Sequence, residues 1–446
     1  MRSSPPRLAG LLTGALLAAA LIGGTSAHAA GVEPGQVVVT PQAGSATAAA
    51  VGGTAPVTIA TRPGETVAQA VARLRNTDGV ADAVPNYVAH AAAAPPFVPD
   101  DPGRHTTTGG WRKVQWNFSG TYSVHATQAW GNLIAAGHPG GAGVVVAVLD
   151  TGVAYTNRHG GTLSPDLRTS SFVKGYDFVD HDTVPMDRNG HGTHVASTIV
   201  ESTDNGKWLT GLAYGAKVMP VRVLNNQGEG DATTIARGVR YAVDKGAKII
   251  NLSLEFGPAP GGRALAARDI PQLISALKYA RAKGVLVVGA SGNEGHHAID
   301  YPAREPSVVA VGATTEYGCL SFFSNYGKGI DLVAPGGGSD AAFGSDPRCD
   351  PTRAGRNISQ ITLTGIGSSH FGISVGYEGT SMAAPHVSAT AALIIASGVL
   401  GPDPSPARII SRMNATARDL GAKGTDRRYG HGLVNASAAT RPAARR

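Results

Sequence analysis

The stretch VVVAVLD, residues 144–150, is six apolar residues closed by one acid. A run that short and that rich in valine reads as a strand buried on both faces, since a helix needs more length and a half-exposed strand would alternate with polar residues. GTHVASTIV (192–200) follows at helical period. The pairing then recurs down the chain. AKVMPVRVL (216–224) precedes TTIARGVRYAVDKG (233–246), and AKIINLSL (247–254) precedes QLISALKYARAKG (272–284). VLVVGASGN (285–293), SVVAVGATT (307–315) and IDLVAPG (330–336) precede an apolar helix at 381–397. Alternation of this kind predicts an α/β fold: a doubly wound, mostly parallel sheet with helices on both faces. The Gly-rich segment 336–375 is expected to remain a surface excursion.

Outward from that core, the chain has 446 residues, 42% of them apolar, enough for a large buried core. Residues 1–7 carry Arg2 and Arg7, 8–22 are almost wholly apolar, and Ala27-His28-Ala29 has the small-x-small pattern of a signal-peptidase site. The run is short of the roughly 20 residues a spanning helix needs, so a signal peptide over 1–29 and an extracellular, secreted product without a stable membrane anchor are expected. Residues 30–95 form a small α+β unit. GQVVVT (35–40) reads as a strand, Val67, Ala70, Val71 and Leu74 recur at helical spacing, and AAAAPP (91–96) reads as an exposed linker. Formal charge is +7 with arginines scattered and no basic patch interleaved with aromatics, which argues against nucleic acid. Cys319 and Cys349 are the two cysteines. In an oxidising compartment an even count suggests a structural disulfide, with two free thiols as the alternative.

Open parallel sheets bind ligands beyond the carboxyl ends of their strands. Asp150 closes one strand, His191 opens a helix in DRNGHGTHVAST, Asn293 closes VLVVGASGN, and Ser381 stands at a helix mouth in GTSMAAPHVSA. Taken singly, each has a plain explanation: turn former, helix-cap residue, or, for His191 with His194, half of a metal pair without the Glu of HExxH. Together an acid, an imidazole, an amide and a hydroxyl at one sheet edge are what nucleophilic acyl transfer requires.

The motifs AVLDTGV, NGHGTHVAST, ASGNEG and GTSMAAPHVSA resemble, in order, the four signatures of the subtilisin-like serine proteases, over roughly residues 101–439. The resemblance implies a secreted endopeptidase acting on polypeptides, with a catalytic domain over 96–446 and no further C-terminal domain. Ser381 would be the nucleophile, His191 the general base and acid, Asp150 its orienting partner, and Asn293 with the Ser381 N–H the oxyanion donors. Gly379, Ala383 and Ala384 would be small so that substrate can approach. Ser253, Leu254 and Glu255 resemble one edge of the family's peptide groove, with Glu255 where the family usually has Gly. Gly228, Glu229 and Gly230 resemble the other edge, and Glu294 the floor of the pocket for the residue before the scissile bond. Residues 30–95 resemble the family's propeptide, an intramolecular inhibitor that the enzyme itself cuts.

Structural calcium is implied, and no organic cofactor. TDNGKWLTGLA with PDL nominates Asp166 and Asn205 as side-chain ligands and the carbonyls of Thr203, Lys207 and Leu209. GYDFVDHDTVPMD nominates Asp177 and Asp182 for a second site, although Met186 stands where an oxygen is wanted. The rival readings are an inactive binding protein of the same fold, an esterase, for which the G-x-S-x-G elbow is missing, and a metal hydrolase built on His191 and His194. A monomer is expected.

Overall fold

The computed structural model describes residues 32–442, apart from 88–93, 105–106, 159, 260–261, 344–345 and 347. The expected signal peptide, residues 1–29, and part of the linker at 91–96 lie outside the described residues. The chain divides into two compact units, one ending at residue 92 and one spanning 93–445.

In the first unit, strands β1 (Val32–Pro41), β2 (Val57–Ala60) and β3 (Val80–Tyr87) form an antiparallel sheet in the order β2-β1-β3. The helix Val67–Arg75 starts where Thr66 and Gln69 cap each other: the Gln69 N–H donates to the Thr66 hydroxyl, and the Thr66 N–H to the Gln69 carboxamide. Its buried Ala70, Val71 and Leu74 meet Val37, Val39 and Ala83 in one small core.

The second unit is built on seven strands: β4 (Val145–Asp150), β5 (Tyr176–Asp177), β6 (Lys217–Arg222), β7 (Ile249–Leu252), β8 (Leu286–Ala290), β9 (Val308–Thr314) and β10 (Leu332–Pro335). All pair in parallel, in the order β10-β9-β8-β7-β4-β6-β5. Because side chains alternate across a strand, both faces of the central strands must be covered, and they are. Val146, Val148, Ile249, Leu286, Val288 and Val311 share one core with the helices His191–Val200 and Thr380–Ser397. Ala147, Leu149, Ile250, Leu252 and Val287 share the other with Ala232–Asp244 and Pro271–Ala282. This confirms the α/β architecture read from VVVAVLD. From β4 the chain goes to the edge strand β5 and returns to β6 between them on one side, then crosses to β7 and proceeds outward to β10 on the other. The carboxyl ends of β4 and β7 thus flank the reversal, where an open sheet leaves a crevice.

Two expectations change. Within 336–375, Ile358, Gln360 and Ile361 are fully buried. Strand β11 (Ile361–Leu363) pairs antiparallel with β12 (Phe371–Ile373). The Ile358 carbonyl oxygen lies 3.1 Å from His194 Nε2, and Ile361 receives a hydrogen bond from Ser197 and donates one to Glu201. Glycine marks the ends of this segment, but its middle, ISQITL, supplies apolar and amide groups to the His191 helix. Second, Ala383 and Ala384 are fully buried in the core and do not line the groove. Cys319 and Cys349 are joined as a disulfide, with Cα atoms 5.7 Å apart.

Candidate active site

Asp150 ends β4 and is fully buried. Its Oδ1 accepts the Thr151 N–H at 2.7 Å and stands 2.8 Å from His191 Nδ1. His191 is the first residue of its helix, which Gly190 at φ 110 turns into. Burial works against a charged ring there, but Asp150's charge and hydrogen bond, with the charges of Asp187 and Glu255, outweigh it and hold the His191 pKa above the ordinary value.

Asp187 is a residue the sequence reading passed over. Its Oδ1 accepts from the Thr151 hydroxyl and from the Asn189 and Gly190 N–H groups, and its Oδ2 from the N–H and hydroxyl of Thr193. One buried carboxylate thus ties the end of β4 to the mouth of the His191 helix. Its position four residues ahead of His191, just before a helix start, was the available signal.

Ser381 is the second residue of the helix Thr380–Ser397, entered from Gly379 at φ 151. A first-turn N–H has no carbonyl one turn earlier, so the Ser381 N–H is available at the positive end of the helix. Pro385, inside that helix, has no N–H for the Ser381 carbonyl, and the Ser253 hydroxyl donates to that oxygen instead at 2.7 Å. In return the Ser381 hydroxyl donates to the Ser253 carbonyl oxygen at 3.1 Å, and not to His191. Serine and imidazole therefore line the same clefts, with the imidazole on the carboxylate and the serine hydroxyl turned to the Ser253 carbonyl instead of the base.

Two clefts meet at His191 and Ser381. One, of about 620 Å³, runs between Gly228, Glu229 and Gly230 on one side and Ser253, Leu254 and Glu255 on the other, with Glu294 at its wall. Gly230 cannot carry a side chain, since a Cβ would lie 2.4 Å from the Val223 carbonyl oxygen. The other, of about 560 Å³, includes Asn293, Thr362, Leu363, Tyr377 and Gly379. All substrate-groove residues named from the sequence are thus brought together around the first cleft.

The Asn293 side chain is fixed through its Oδ1, which accepts the Thr380 N–H at 2.8 Å and the Thr380 hydroxyl at 3.1 Å. Its Nδ2 donates to Glu255 Oε2 at 3.0 Å. Burial first, and the neighbouring Glu294 charge second, push Glu255 up to about 7. Two further residues that the sequence did not single out complete this wall: Asn325 Nδ2 donates to both Glu294 (2.6 Å) and Asp300 (2.7 Å).

His194 does not join His191 in a metal pair. It is fully buried, its Nε2 faces the Ile358 carbonyl, and its ring stacks on Tyr377 with centroids 4.3 Å apart. Burial lowers its pKa to about 3, so it is neutral.

The first of the two loops nominated for calcium fits a cation. Asp166 is buried and raised to about 7 by desolvation, with Asp101 adding repulsion. Glu201 is buried beside it, raised well above its ordinary value by desolvation and the Asp166 charge, and its Oε2 has no hydrogen-bond partner. Two buried carboxylates side by side, one with an unpartnered oxygen, suit a hard ion held by oxygens. Asn205 Nδ2 now donates to Asp166 Oδ1 at 2.9 Å and Leu209 N–H to Oδ2 at 3.0 Å, so an ion shared by Asp166 and Asn205 needs the Asn205 amide turned. The second loop does not fit. Asp177 gives Oδ2 to the buried Arg222 guanidinium at 2.7 Å and Oδ1 to the N–H groups of Val179 and Asp180; Asp180 pairs with the same guanidinium, and Asp182 Oδ1 accepts the Val184 N–H. Arg222 already balances the charge that a dication would answer. Among the described residues, the one cluster of three potential metal ligands is Cys319, Asp340 and Cys349, whose sulfurs are in the disulfide.

A family model described as the subtilase family matches residues 141–432. Thermitase of Thermoactinomyces vulgaris is 34% identical over 340 residues, 76% of this chain and 98% of its own length. Subtilisin Savinase of Lederbergia lenta is 37% identical over 301 residues, 68% of this chain and 92% of its own. Among solved structures, a protease from Pseudoalteromonas arctica superposes with a TM-score of 0.60 at 30% identity, covering 77% of this chain and 98% of that one.

Proposed function

The chain belongs to the subtilase family and is a subtilisin-like serine endopeptidase, a hydrolase of α/β fold, and on that premise we propose that it is a secreted, self-processing enzyme in which Asp150, His191 and Ser381 form the triad. The observation that carries the reading is the 2.8 Å contact of His191 Nδ1 with buried Asp150, at the meeting of two clefts that both include Ser381.

Rotation of the Ser381 hydroxyl away from the Ser253 carbonyl brings Oγ to His191 Nε2, which takes the proton as Oγ bonds to the substrate carbonyl carbon. The carbonyl oxygen becomes an oxyanion held by the Ser381 N–H and by Asn293 Nδ2. Asp150 keeps the Nδ1 proton in place and stabilises the imidazolium, which then protonates the departing amine. Water, deprotonated by His191, attacks the acyl-enzyme; the carboxyl product leaves and Ser381 regains its proton. Backbone pairing along 253–255 and 228–230 gives broad specificity, and Glu255 with Glu294 adds a preference for Lys or Arg before the scissile bond.

Residues 1–29 serve as signal peptide and 30–95 as an inhibitory propeptide that Ser381 releases, leaving a monomeric extracellular enzyme over 96–446. Among the described residues no helix is long and apolar enough to cross a membrane. Calcium, held by Asp166, Asn205 and the carbonyls of Thr203, Lys207 and Leu209, would neutralise the buried acids and brace the loop. The test is labelling with a fluorophosphonate, mapped by peptide mass, beside digestion of casein. Label on Ser381 and casein fragments are expected; an unlabelled, inactive protein would leave the fold as a binding module.

A further inference from the structure

Asn293 Nδ2 is one of the two donors that the proposed chemistry needs, and its contact in this structure is a carboxylate. Oδ1 of the same amide is held twice by Thr380, which leaves Nδ2 aimed at Glu255 Oε2. Glu255 follows Leu254 at the carboxyl end of β7 and is half-buried. Beside it stand Glu294 and Asp300, both tied to Asn325 Nδ2. Among the described residues no lysine, arginine or histidine forms an ion pair with any of the three. The His296 charge acts on Asp300, but no ion pair among the described residues neutralises Glu255 or Glu294.

A carboxylate 3.0 Å from an oxyanion donor has a second consequence. Catalysis depends on interactions that strengthen as charge develops in the transition state. A negative charge on Glu255 lies close to where the negative oxyanion forms, and it draws on the same N–H group. For a substrate with a neutral side chain before the bond, that charge opposes the reaction. A lysine or arginine side chain entering the cleft would cancel it at the moment it is harmful.

We infer that Glu255 is a specificity-determining residue that acts on the chemical step: it weakens the oxyanion site for neutral substrates, and a cationic side chain before the scissile bond restores that site by pairing with Glu255. The inference rests on the protease reading and on Asn293 as oxyanion donor. It separates Glu255 from Glu294. Glu294 accepts the Asn293 backbone N–H rather than the side-chain donor, so its charge attracts the cation without sharing the oxyanion group.

The test uses mature enzyme and peptide amides that differ only in Lys, Gln or Leu before the bond, with kcat and KM measured separately at low salt and at a pH well above 7, where Glu255, raised to about 7, is ionised. In the wild type, kcat for Lys should exceed kcat for Gln by about tenfold, a fraction of the roughly hundred- to thousand-fold that loss of one oxyanion donor causes. Glu255→Gln should bring the kcat ratio to about one, chiefly by raising kcat for the Gln and Leu peptides, because its shape and its acceptor for Asn293 remain. Glu294→Gln should raise KM for Lys and leave the kcat ratio intact. Equal wild-type kcat values for Lys and Gln would overturn the inference without any variant. So would a kcat ratio unchanged in Glu255→Gln. If no peptide is cut while fluorophosphonate still labels Ser381, this inference falls and the serine-hydrolase reading stands; with Ser381 also unlabelled, both fall.

Discussion

The two clefts that meet at Ser381 are nearly alike in size, about 620 and 560 Å³, and unlike in charge. The cleft beside β7 and β8 is lined by Glu229, Glu255 and Glu294. The cleft beside the β11–β12 hairpin has Thr, Gly, Ser, Ile and Val with one acid, Glu378. The strands β7 and β8 end there with acids in the residues that follow them, whereas the hairpin and the residues after it bring uncharged side chains such as Thr362, Leu363, Ile373 and Val375. On the proposed reading, this difference would make the Ser381 centre indifferent to charge on one side of the bond and responsive to it on the other.

The largest expected effect is one that ignores the comparison. Ser381→Ala should lose about a million-fold in kcat on peptides extended into either cleft, with an uncut precursor on gels and an unchanged circular dichroism spectrum. A loss confined to peptides filling one cleft would show that Ser381 is not the shared centre. Asp150→Asn should cost about ten-thousand-fold, again on both sides, because an amide can offer its NH₂ to Nδ1 and select the wrong tautomer; steady-state kinetics with the purified variant checks it.

The pH profile comes next. His191 must be neutral to accept the Ser381 proton, and its pKa is raised, so the acid limb of kcat/KM should lie above the ordinary histidine value of about 6.5 and the rate should fall tenfold for each pH unit below it. Glu255→Gln removes one of the charges that raise it, so the limb should move to lower pH. The stability sign is the reverse. A raised histidine pKa contributes stability that is fully present below the unfolded value and is lost as pH rises through the folded one, which thermal melts across that window will register.

The fourth prediction is the comparison itself. Exchanging Gln for Lys before the bond should raise kcat/KM several-fold at 0.1 M salt, and the gain should shrink at 1 M as the screening length falls from about 10 Å to about 3 Å. The same exchange after the bond should give little change at either salt. Equal responses on the two sides would mean that the glutamates are solvated bystanders. The smallest effect on catalysis is expected at the calcium loop, which touches neither cleft. Chelation or Asp166→Ala should shorten the half-life of thermal inactivation by several-fold and leave the ratio between the two kinds of peptide unchanged.

Much of this was legible in the sequence. The strand VVVAVLD and its successors specified the sheet, because apolar runs bounded by turns have few ways to bury both faces. Asp150, His191, Asn293 and Ser381 could be picked out because each sits at a strand end or helix mouth, a position that local pattern marks. Less legible were residues whose meaning lies in a partner far along the chain. Asp166 and Asp177 look alike as loop acids. One lies among buried carboxylates, and the other holds the Arg222 guanidinium at the end of β6.

The sequence by itself therefore determined the α/β fold and the family and nominated the residues of the proposed chemistry, since these follow from periodicity, caps and motifs spanning a few residues. Tertiary structure alone decided that 358–363 lies in the core, that Asp187 ties β4 to the His191 helix, that Arg222 occupies the second acid loop, and that Glu255 meets the Asn293 amide. Burial and charge act through space, and the distance that sets them, 3.0 Å between residues 38 positions apart in the case of Asn293 and Glu255, is not a property of any stretch of chain.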